Sequence, residues 1–243
     1  MKPTNFQIHH ECPQCGAPAV LEETDRLFHC EYCRVRSYLL PKSIFKYILP
    51  HNAPEDKEII YIPYWRFKGS LFSCFAQEIQ EKFTDLSHLA TDIRELPISL
   101  GLRTQALKLQ FLSPDIQARF IKPTLPIREV SEIFRQSINE SLDEVPLCQE
   151  FIGHTPSMIY APFYADNDIW HDAVLNTQIS SLSGYQPIYH RPDSRIHFIP
   201  ALCPNCGWDL DGDRNTLALT CTRCQLVWYA EKKTPDSSAV CGC

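Results

Sequence analysis

Eight of the twelve cysteines stand in two quartets of identical spacing, and no other feature restricts the fold as strongly. Cys12-Pro13-Gln14-Cys15-Gly16 is followed, after fourteen residues, by Cys30-Glu31-Tyr32-Cys33. Cys203-Pro204-Asn205-Cys206-Gly207 is followed, after the same interval, by Cys221-Thr222-Arg223-Cys224. A constant offset of 191 residues superimposes the four cysteines, Pro13 on Pro204, Gly16 on Gly207 and Tyr38 on Tyr229 without a gap. The two ends of the chain read as copies of one unit.

Two thiolates two residues apart can face one ion only if the backbone turns sharply between them. Pro13 and Pro204 preset φ for such a turn, and the glycine after each second cysteine lets backbone amides approach the sulfurs. Two knuckles joined by a hairpin make a tetrahedral four-sulfur site with no open position, which is the mark of a structural metal. Each copy is one residue short of the usual C-x2-C-x15–20-C-x2-C pattern for zinc. Segments 19–21, 27–29 and 217–219 read as the intervening strands, with Leu226 to Tyr229 leaving the second site. The motifs resemble the zinc-ribbon superfamily over residues 9–40 and 200–232. That resemblance implies two zinc ions, one held by Cys12, Cys15, Cys30 and Cys33 and one by Cys203, Cys206, Cys221 and Cys224. The Cys203–Gly207 knuckle is also similar to that of rubredoxins, which implies iron, but rubredoxins space their knuckles further apart. Disulfides are the third reading of the same cysteines.

Charge and composition exclude several classes. Lys plus Arg is 23 against 29 for Asp plus Glu, a formal charge of −6, which opposes general polyanion binding. Only 8 glycines are present, no two form G-x-G, and the G-x-x-x-x-G at Gly207–Gly212 is followed by Asp213-Arg214, so nucleotide-cradling loops are absent. The longest apolar run, Ile59 to Trp65, is broken by Pro63 and cannot span a membrane. Residues Met1 to Gln7 lack the apolar stretch of a secretory leader, so the expected location is the cytoplasm. Reducing conditions there favour metal over disulfide.

The expected architecture is α+β and β-rich: an antiparallel middle sheet with a few helices, flanked by two zinc ribbons of four cysteines each. Residues 1–40 form ribbon 1, 41–57 a proline-bearing linker, 58–200 the middle domain, 201–232 ribbon 2 and 233–243 a flexible tail. The linker predicts a first ribbon separated from the middle domain, whereas Trp208, Trp228 and Tyr229 predict a second ribbon packed on a neighbouring surface. Ile59 to Phe67 reads as a strand with Pro63 at an edge or bulge, Lys68-Gly69 as its turn and Ser70 to Phe75 as the return. An offset of 99 places Tyr61 on Tyr160, Pro63 on Pro162, Tyr64 on Phe163 and Trp65 on Tyr164, a weak repeat of 58–76 in 157–175. These segments resemble the Tyr-x-Pro-aromatic-Trp strands of poorly characterised bacterial zinc-ribbon proteins, as does the stretch Ile93 to Leu109. That resemblance implies a β-rich body and carries no activity. Leu107, Leu109 and Phe111 alternate as a strand, returned by Gln117 to Ile121. From Pro126, the residues Ile127, Val130, Ile133, Phe134, Ile138 and Leu142 recur at helical spacing, and a shorter helix is expected over Asp85 to Glu95.

Other chemistry-bearing residues have bland alternatives. His171 beside Asp172 could serve as an oriented base and Ser180 or Ser181 as a nucleophile, but no nucleophile-elbow glycines surround the serines. His9 and His10 read as exposed leader residues, since four cysteines already fill the adjacent site. His190, Arg191, Arg195 and His197, interleaved with Tyr189 and Phe198, form the best basic cluster and would suit single-stranded nucleic acid. Asp209 to Asp213 reads as a solvated acidic turn. Cys74 and Cys148 read as buried core thiols. Cys241-Gly242-Cys243 is similar in form to a prenylated terminus, but the GTPase motifs of the proteins that carry one are missing, and flexible tail thiols are expected.

Three functions follow. The first is a non-catalytic adaptor or assembly protein contacting protein partners. The second is a nucleic-acid-associated factor that binds weakly, as the charge dictates. The third is an enzyme or redox carrier with an unrecognised site.

Overall fold

The computed structural model describes residues 7–41, 43–101, 108–139, 144–153, 156–166, 169–181, 186–193, 196–234 and 237–242. Among them the strands are β1 Gln7–Glu11, β2 Pro18–Glu22, β3 Leu27–His29, β4 Arg36–Pro41, β5 Lys46–Ile48, β6 Ile60–Cys74, β7 Ile79–Leu89, β8 Leu109–Phe111 and β9 Arg119–Ile121. One helix, α1, covers Ile127–Asn139. Strands β10 Cys148–Gly153, β11 Ser157–Asp166, β12 Ile169–Asp172, β13 Thr177–Ser181 and β14 Tyr189–His190 follow. The chain ends with β15 Ile196–Pro200, β16 Leu210–Asp211, β17 Ala218–Cys221, β18 Val227–Thr234 and β19 Ser237–Gly242. No helix among the described residues is long and apolar enough to cross a membrane. The chain is thus β-rich, as expected, with a single helix among the described residues.

Two compact units form. One joins Met1–Phe45, Lys108–Pro114 and Asp193–Cys243; the other joins Lys46–Leu107 and Asp115–Pro192. Both cysteine quartets therefore belong to one unit, although 191 residues separate them.

In the cysteine-bearing unit β1 and β2 form a hairpin with Ile8 opposite Leu21, and β8 runs parallel to β1. Strands β3, β4 and β15 make a second sheet, and β16 to β19 a third, a meander. The segment 233–243, expected as a tail, contains β19, which pairs with β18 from Trp228↔Gly242 to Thr234↔Ser237. The apolar core consists of Leu27 and Tyr38 from the first quartet's strands with Ala201, Leu210 and Leu219 from the second's. Its walls are the sulfur-bearing residues Cys203 and Cys221.

The other unit is built around β6. On one edge β9 runs parallel at Ile60 and Tyr61, and β7 runs antiparallel from Tyr64↔Leu89 to Cys74↔Ile79. On the other edge β11 pairs from Phe163↔Ile60 to Ser157↔Arg66, and β10 from Gly153↔Gly69 to Cys148↔Cys74. Parallel and antiparallel ladders alternate, so this sheet is mixed and not purely antiparallel.

Prolines fall where these ladders change. In a strand the N–H and C=O of one residue point to the same edge, and the Pro63 carbonyl accepts the Ala90 N–H (2.9 Å) in the gap between β9 and β7. Nothing in that gap needs the N–H that proline lacks. Pro162 does the same on β11: its carbonyl accepts the Ala173 N–H (3.1 Å) between β5, parallel at Ile159 and Tyr160, and β12, antiparallel from Phe163↔Asp172. β6 and β11 pair with each other about Ile62↔Ala161, so the two Tyr-x-Pro-aromatic segments face one another across a local two-fold arrangement.

Four local expectations differ from the structure. Lys68-Gly69 is not a turn: β6 continues for 15 residues, and Gly69 is a point of close approach, where a Cβ would lie 2.4 Å from the Gly153 Cα and 2.6 Å from the Ile152 carbonyl oxygen. Asp85 to Leu89 is strand, because pairing with β6 outweighs the helical spacing of Leu86, Leu89, Ala90 and Ile93; the last three are buried in either form. Segments 109–111 and 119–121 do not pair with each other, since β8 joins β1 in one unit and β9 joins β6 in the other. The linker 41–57 contains β5, paired in parallel from Met158↔Lys46 to Tyr160↔Ile48.

The helix forms where its period predicted. Pro126 precedes it, and its carbonyl accepts the Glu129 and Val130 N–H groups. Val130 is buried and Phe134 sets its ring edge-on to Phe67 at 5.0 Å, whereas Ile133 faces outward. Leu107 and Leu142 lie outside the described residues.

Candidate metal centres

All four knuckles adopt one backbone form. The residue after each second cysteine is left-handed: φ is 70° at Gly16, 61° at Arg34, 71° at Gly207 and 60° at Gln225. Its N–H returns to the carbonyl of the first cysteine, at 2.8 Å for Gly16 to Cys12, 2.9 Å for Arg34 to Cys30, 2.8 Å for Gly207 to Cys203 and 2.7 Å for Gln225 to Cys221. Each first cysteine then donates its N–H five residues on, to Ala17, Val35, Trp208 and Leu226 in turn. The glycines advertise two of these turns in the sequence. Arg34 and Gln225 conceal the other two, at a cost of about 1–2 kcal/mol each for a side chain in that conformation.

Strand registers recur with the same offset. Leu27↔Tyr38, Phe28↔Ser37 and His29↔Arg36 correspond to Ala218↔Tyr229, Leu219↔Trp228 and Thr220↔Val227. The Glu11↔Pro18 pair corresponds to the isolated bridge Leu202↔Asp209.

The knuckles bring together the eight residues expected as ligands. In each quartet the four sulfurs lie within 4.8 Å of one another. Cys12 and Cys33 stand 3.7 Å apart, Cys15 and Cys30 3.7 Å, and Cys206 and Cys221 3.6 Å. A tetrahedral ion with bonds of about 2.3 Å to sulfur requires about 3.8 Å between sulfurs, whereas a disulfide requires about 2.05 Å. The donor set therefore fits a metal ion, and the ten cysteines whose side chains are described are all free thiols.

Amide dipoles aim at the sulfurs. The Cys33 N–H, then that of Tyr32, brings the Cys30 thiol down to about 6 against the opposing effect of burial. At Cys203 burial pushes the thiol up, but the N–H groups of Cys206 and Asn205 with two neighbouring sulfurs outweigh it and bring it to about 7. At Cys33 the Val35 N–H favours the thiolate, yet burial and three neighbouring sulfurs hold the thiol up to about 12. One sulfur in each quartet thus ionises early and gives a dication its first anchor; the remaining protons leave as the metal binds. Around the second quartet the Cys224 N–H donates to the Cys221 sulfur (3.3 Å) and Asn205 Nδ2 to the Cys224 sulfur (3.3 Å).

The quartets interlock through residues that no motif marks. Arg214 forms an ion pair with the buried Asp25, and its carbonyl accepts the N–H groups of Arg26 (2.6 Å) and Leu27 (2.9 Å). Arg36 reaches Asp211 at 3.1 Å, and Tyr38 donates its hydroxyl to the Thr216 carbonyl at 3.2 Å. The acidic turn 209–213 is therefore engaged at Asp211, and Asp25 and Arg36 of the first quartet's segment are both paired with residues of the second's. The two quartets are thus joined within one unit. Trp228 packs on the shared core, but Trp208 is 52% exposed, with the Arg223 guanidinium 5.7 Å from its ring.

Of the remaining candidates, His10 is not an exposed leader residue but sits between Phe111, edge-on at 5.7 Å, and Phe198, stacked at 5.0 Å; burial pushes its pKa down. Neither His10 nor His9 enters the cysteine cluster. His171 stacks on Tyr164 at 4.9 Å, while Asp172 Oδ1 accepts the Val174 and Leu175 N–H groups and closes a turn. The Ser180 and Ser181 side chains and Arg195 lie outside the described residues. His190 and Arg191 end one unit, whereas His197 and Phe198 belong to the other. Cys74 is half-buried and Cys148 exposed, in contrast to the core positions expected of both. No family model, curated protein or solved structure matches this chain.

Proposed function

We propose that the chain is a zinc-binding adaptor or assembly protein of the cytoplasm, in which two structural zinc ribbons, an internal repeat, form one rigid plate for protein partners. The observation that carries this reading is that both quartets are complete four-sulfur sets and that Leu27 and Tyr38, from the strands of the first, share one apolar core with the cysteines of the second. A closed site offers no coordination position to a substrate, so its ion contributes to folding instead of to a reaction. Eight reduced thiols accord with zinc in a reducing compartment. The plate retains large exposed side chains, among them Trp208, Tyr32 and Leu217, as a contact surface would.

Elemental analysis of the untagged chain tests the metal: two zinc ions are expected, and one ion, or an iron–thiolate absorption band, overturns that part. Capture of partners by the wild-type chain and by Trp208→Ala tests the surface. The variant is expected to keep both ions and lose protein partners. Sub-micromolar binding of oligonucleotides at about 150 mM salt would place the nucleic-acid reading first.

A further inference from the structure

Cys74 and Cys148 belong to neither quartet. Cys74 is the last residue of β6 and Cys148 the first of β10, and the antiparallel register sets them directly opposite one another. Opposed residues of such a pair project to the same face with Cβ atoms about 4.5–5.5 Å apart. A disulfide needs about 3.5–4.5 Å between Cβ atoms and about 4.4–6.8 Å between Cα atoms. The two Cβ atoms thus need an approach of about 1 Å, and they stand at the end of the ladder, beyond which the Leu147 N–H to Cys74 carbonyl bond (2.8 Å) closes the pairing. Strand ends yield by that amount more readily than strand centres.

Their face of the sheet is open. Ile79, opposite Cys74 on β7, is 70% exposed, and Phe83 and Ile152, further along the sheet, are 50% and 66% exposed. Cys148 is itself exposed. Partial desolvation of its sulfur by the neighbouring strand pushes the Cys148 thiol up, and so do the charge of Cys74 and the hydrogen bond to its sulfur.

We propose that Cys74 and Cys148 form a redox site: a dithiol that a low-molecular-weight disulfide, such as glutathione disulfide, converts reversibly into a cross-strand disulfide. The Cys148 thiolate attacks one glutathione sulfur, the glutathione S–S bond breaks, and one glutathione leaves as thiolate. The Cys74 thiolate then attacks the Cys148 sulfur of the mixed disulfide and releases the second glutathione. The protein loses two electrons and two protons, and both appear in two glutathione thiols. The bond ties β10 to β6. Gln149, Phe151 and Gly153 of β10 line a cavity of about 440 Å³ with Phe67 and Leu71 of β6 and Phe134 of α1, so oxidation stiffens one wall of that cavity.

The test uses the full zinc-loaded chain in glutathione buffers of graded oxidation, quenched with iodoacetamide. Peptides are mapped without reduction while a chromophoric chelator follows zinc. The expected result is a peptide linking Cys74 to Cys148 that forms without zinc release and reopens with dithiothreitol. The melting temperature should rise by about 5–10 °C on oxidation, because a long loop is closed in the unfolded chain. Cys148→Ser should lose the linked peptide and the rise while retaining both zinc ions. Oxidation that releases zinc before the linked peptide appears, or separate glutathionylation of both cysteines with no link, would overturn the proposal.

Discussion

The Tyr38 hydroxyl lies 3.2 Å from the Thr216 carbonyl oxygen and 3.3 Å from that of Leu217, a bond from one cysteine quartet's strand to the other's connecting turn. Tyr38 also packs in the core with Leu210 and Leu219. The two quartets should therefore fail together. Cys15→Ser and Cys206→Ser are each expected to abolish metal binding at both quartets and to expose both segments to protease, whereas independent quartets would each lose one ion. Tyr38→Phe should keep both ions and lower stability by about 1 kcal/mol, the usual value of a hydrogen bond, measured by denaturant midpoint.

Gly69→Ala should displace β10. The added methyl would meet backbone on the neighbouring strand at 2.4 Å and 2.6 Å, and backbone cannot rotate aside as a side chain can. A loss of about 1–3 kcal/mol is expected from overpacking alone. Amide exchange in β10 should accelerate more than in β11. Wild-type exchange rates in β10 would mean that the close approach is not needed.

Asp85→Ala should cost more than any exposed charge in the chain. Arg66 Nε and Nη2 each meet an Asp85 oxygen at 2.8 Å, and the side chains are 1% and 9% exposed. Removal of the carboxylate takes its bidentate counter-ion from a buried guanidinium, a loss of about 3–5 kcal/mol. The surface pair Arg119–Glu58, more than half exposed on both sides, provides the control: Glu58→Ala should leave the denaturant midpoint nearly unchanged, because solvent screens the pair. Equal losses would show that burial does not distinguish the two pairs.

Alkali should weaken the sheet of the second unit. Burial holds the Tyr61 phenol up to about 12 and pushes Tyr160 up as well. A phenol whose folded value exceeds its unfolded value of about 10 contributes stability that is complete below pH 10 and is lost as pH rises toward the folded value. Stability should fall between about pH 10 and 12, and Tyr61→Phe should flatten that fall. Absorbance titration of the phenols with parallel melting curves measures both.

Sequence alone determined the quartets, their knuckle turns and the helix after Pro126, because each depends on residues within one or two turns of chain. Among the described residues, the hairpin expected between knuckles forms only in the second quartet, as β16 with β17, while β2 and β3 of the first join different sheets. The spacing of Cys12 and Cys15 already dictates a turn if both sulfurs are to face one ion. It did not disclose that Arg214 closes on Asp25, since a charge pair across 189 residues leaves no local trace. The same holds for Pro63 and Pro162. Their repetition was visible, but their reason, a gap where a parallel neighbour gives way to an antiparallel one, exists only when β9, β7, β5 and β12 are in place. Leu86, Leu89 and Ile93 kept a helical period and yet became strand in part, because eleven residues of pairing with β6 outweigh a weak local preference. Cys74 and Cys148 were two solitary thiols until tertiary pairing set them side by side: local chemistry specifies which groups a chain carries, and long-range register decides which of them meet.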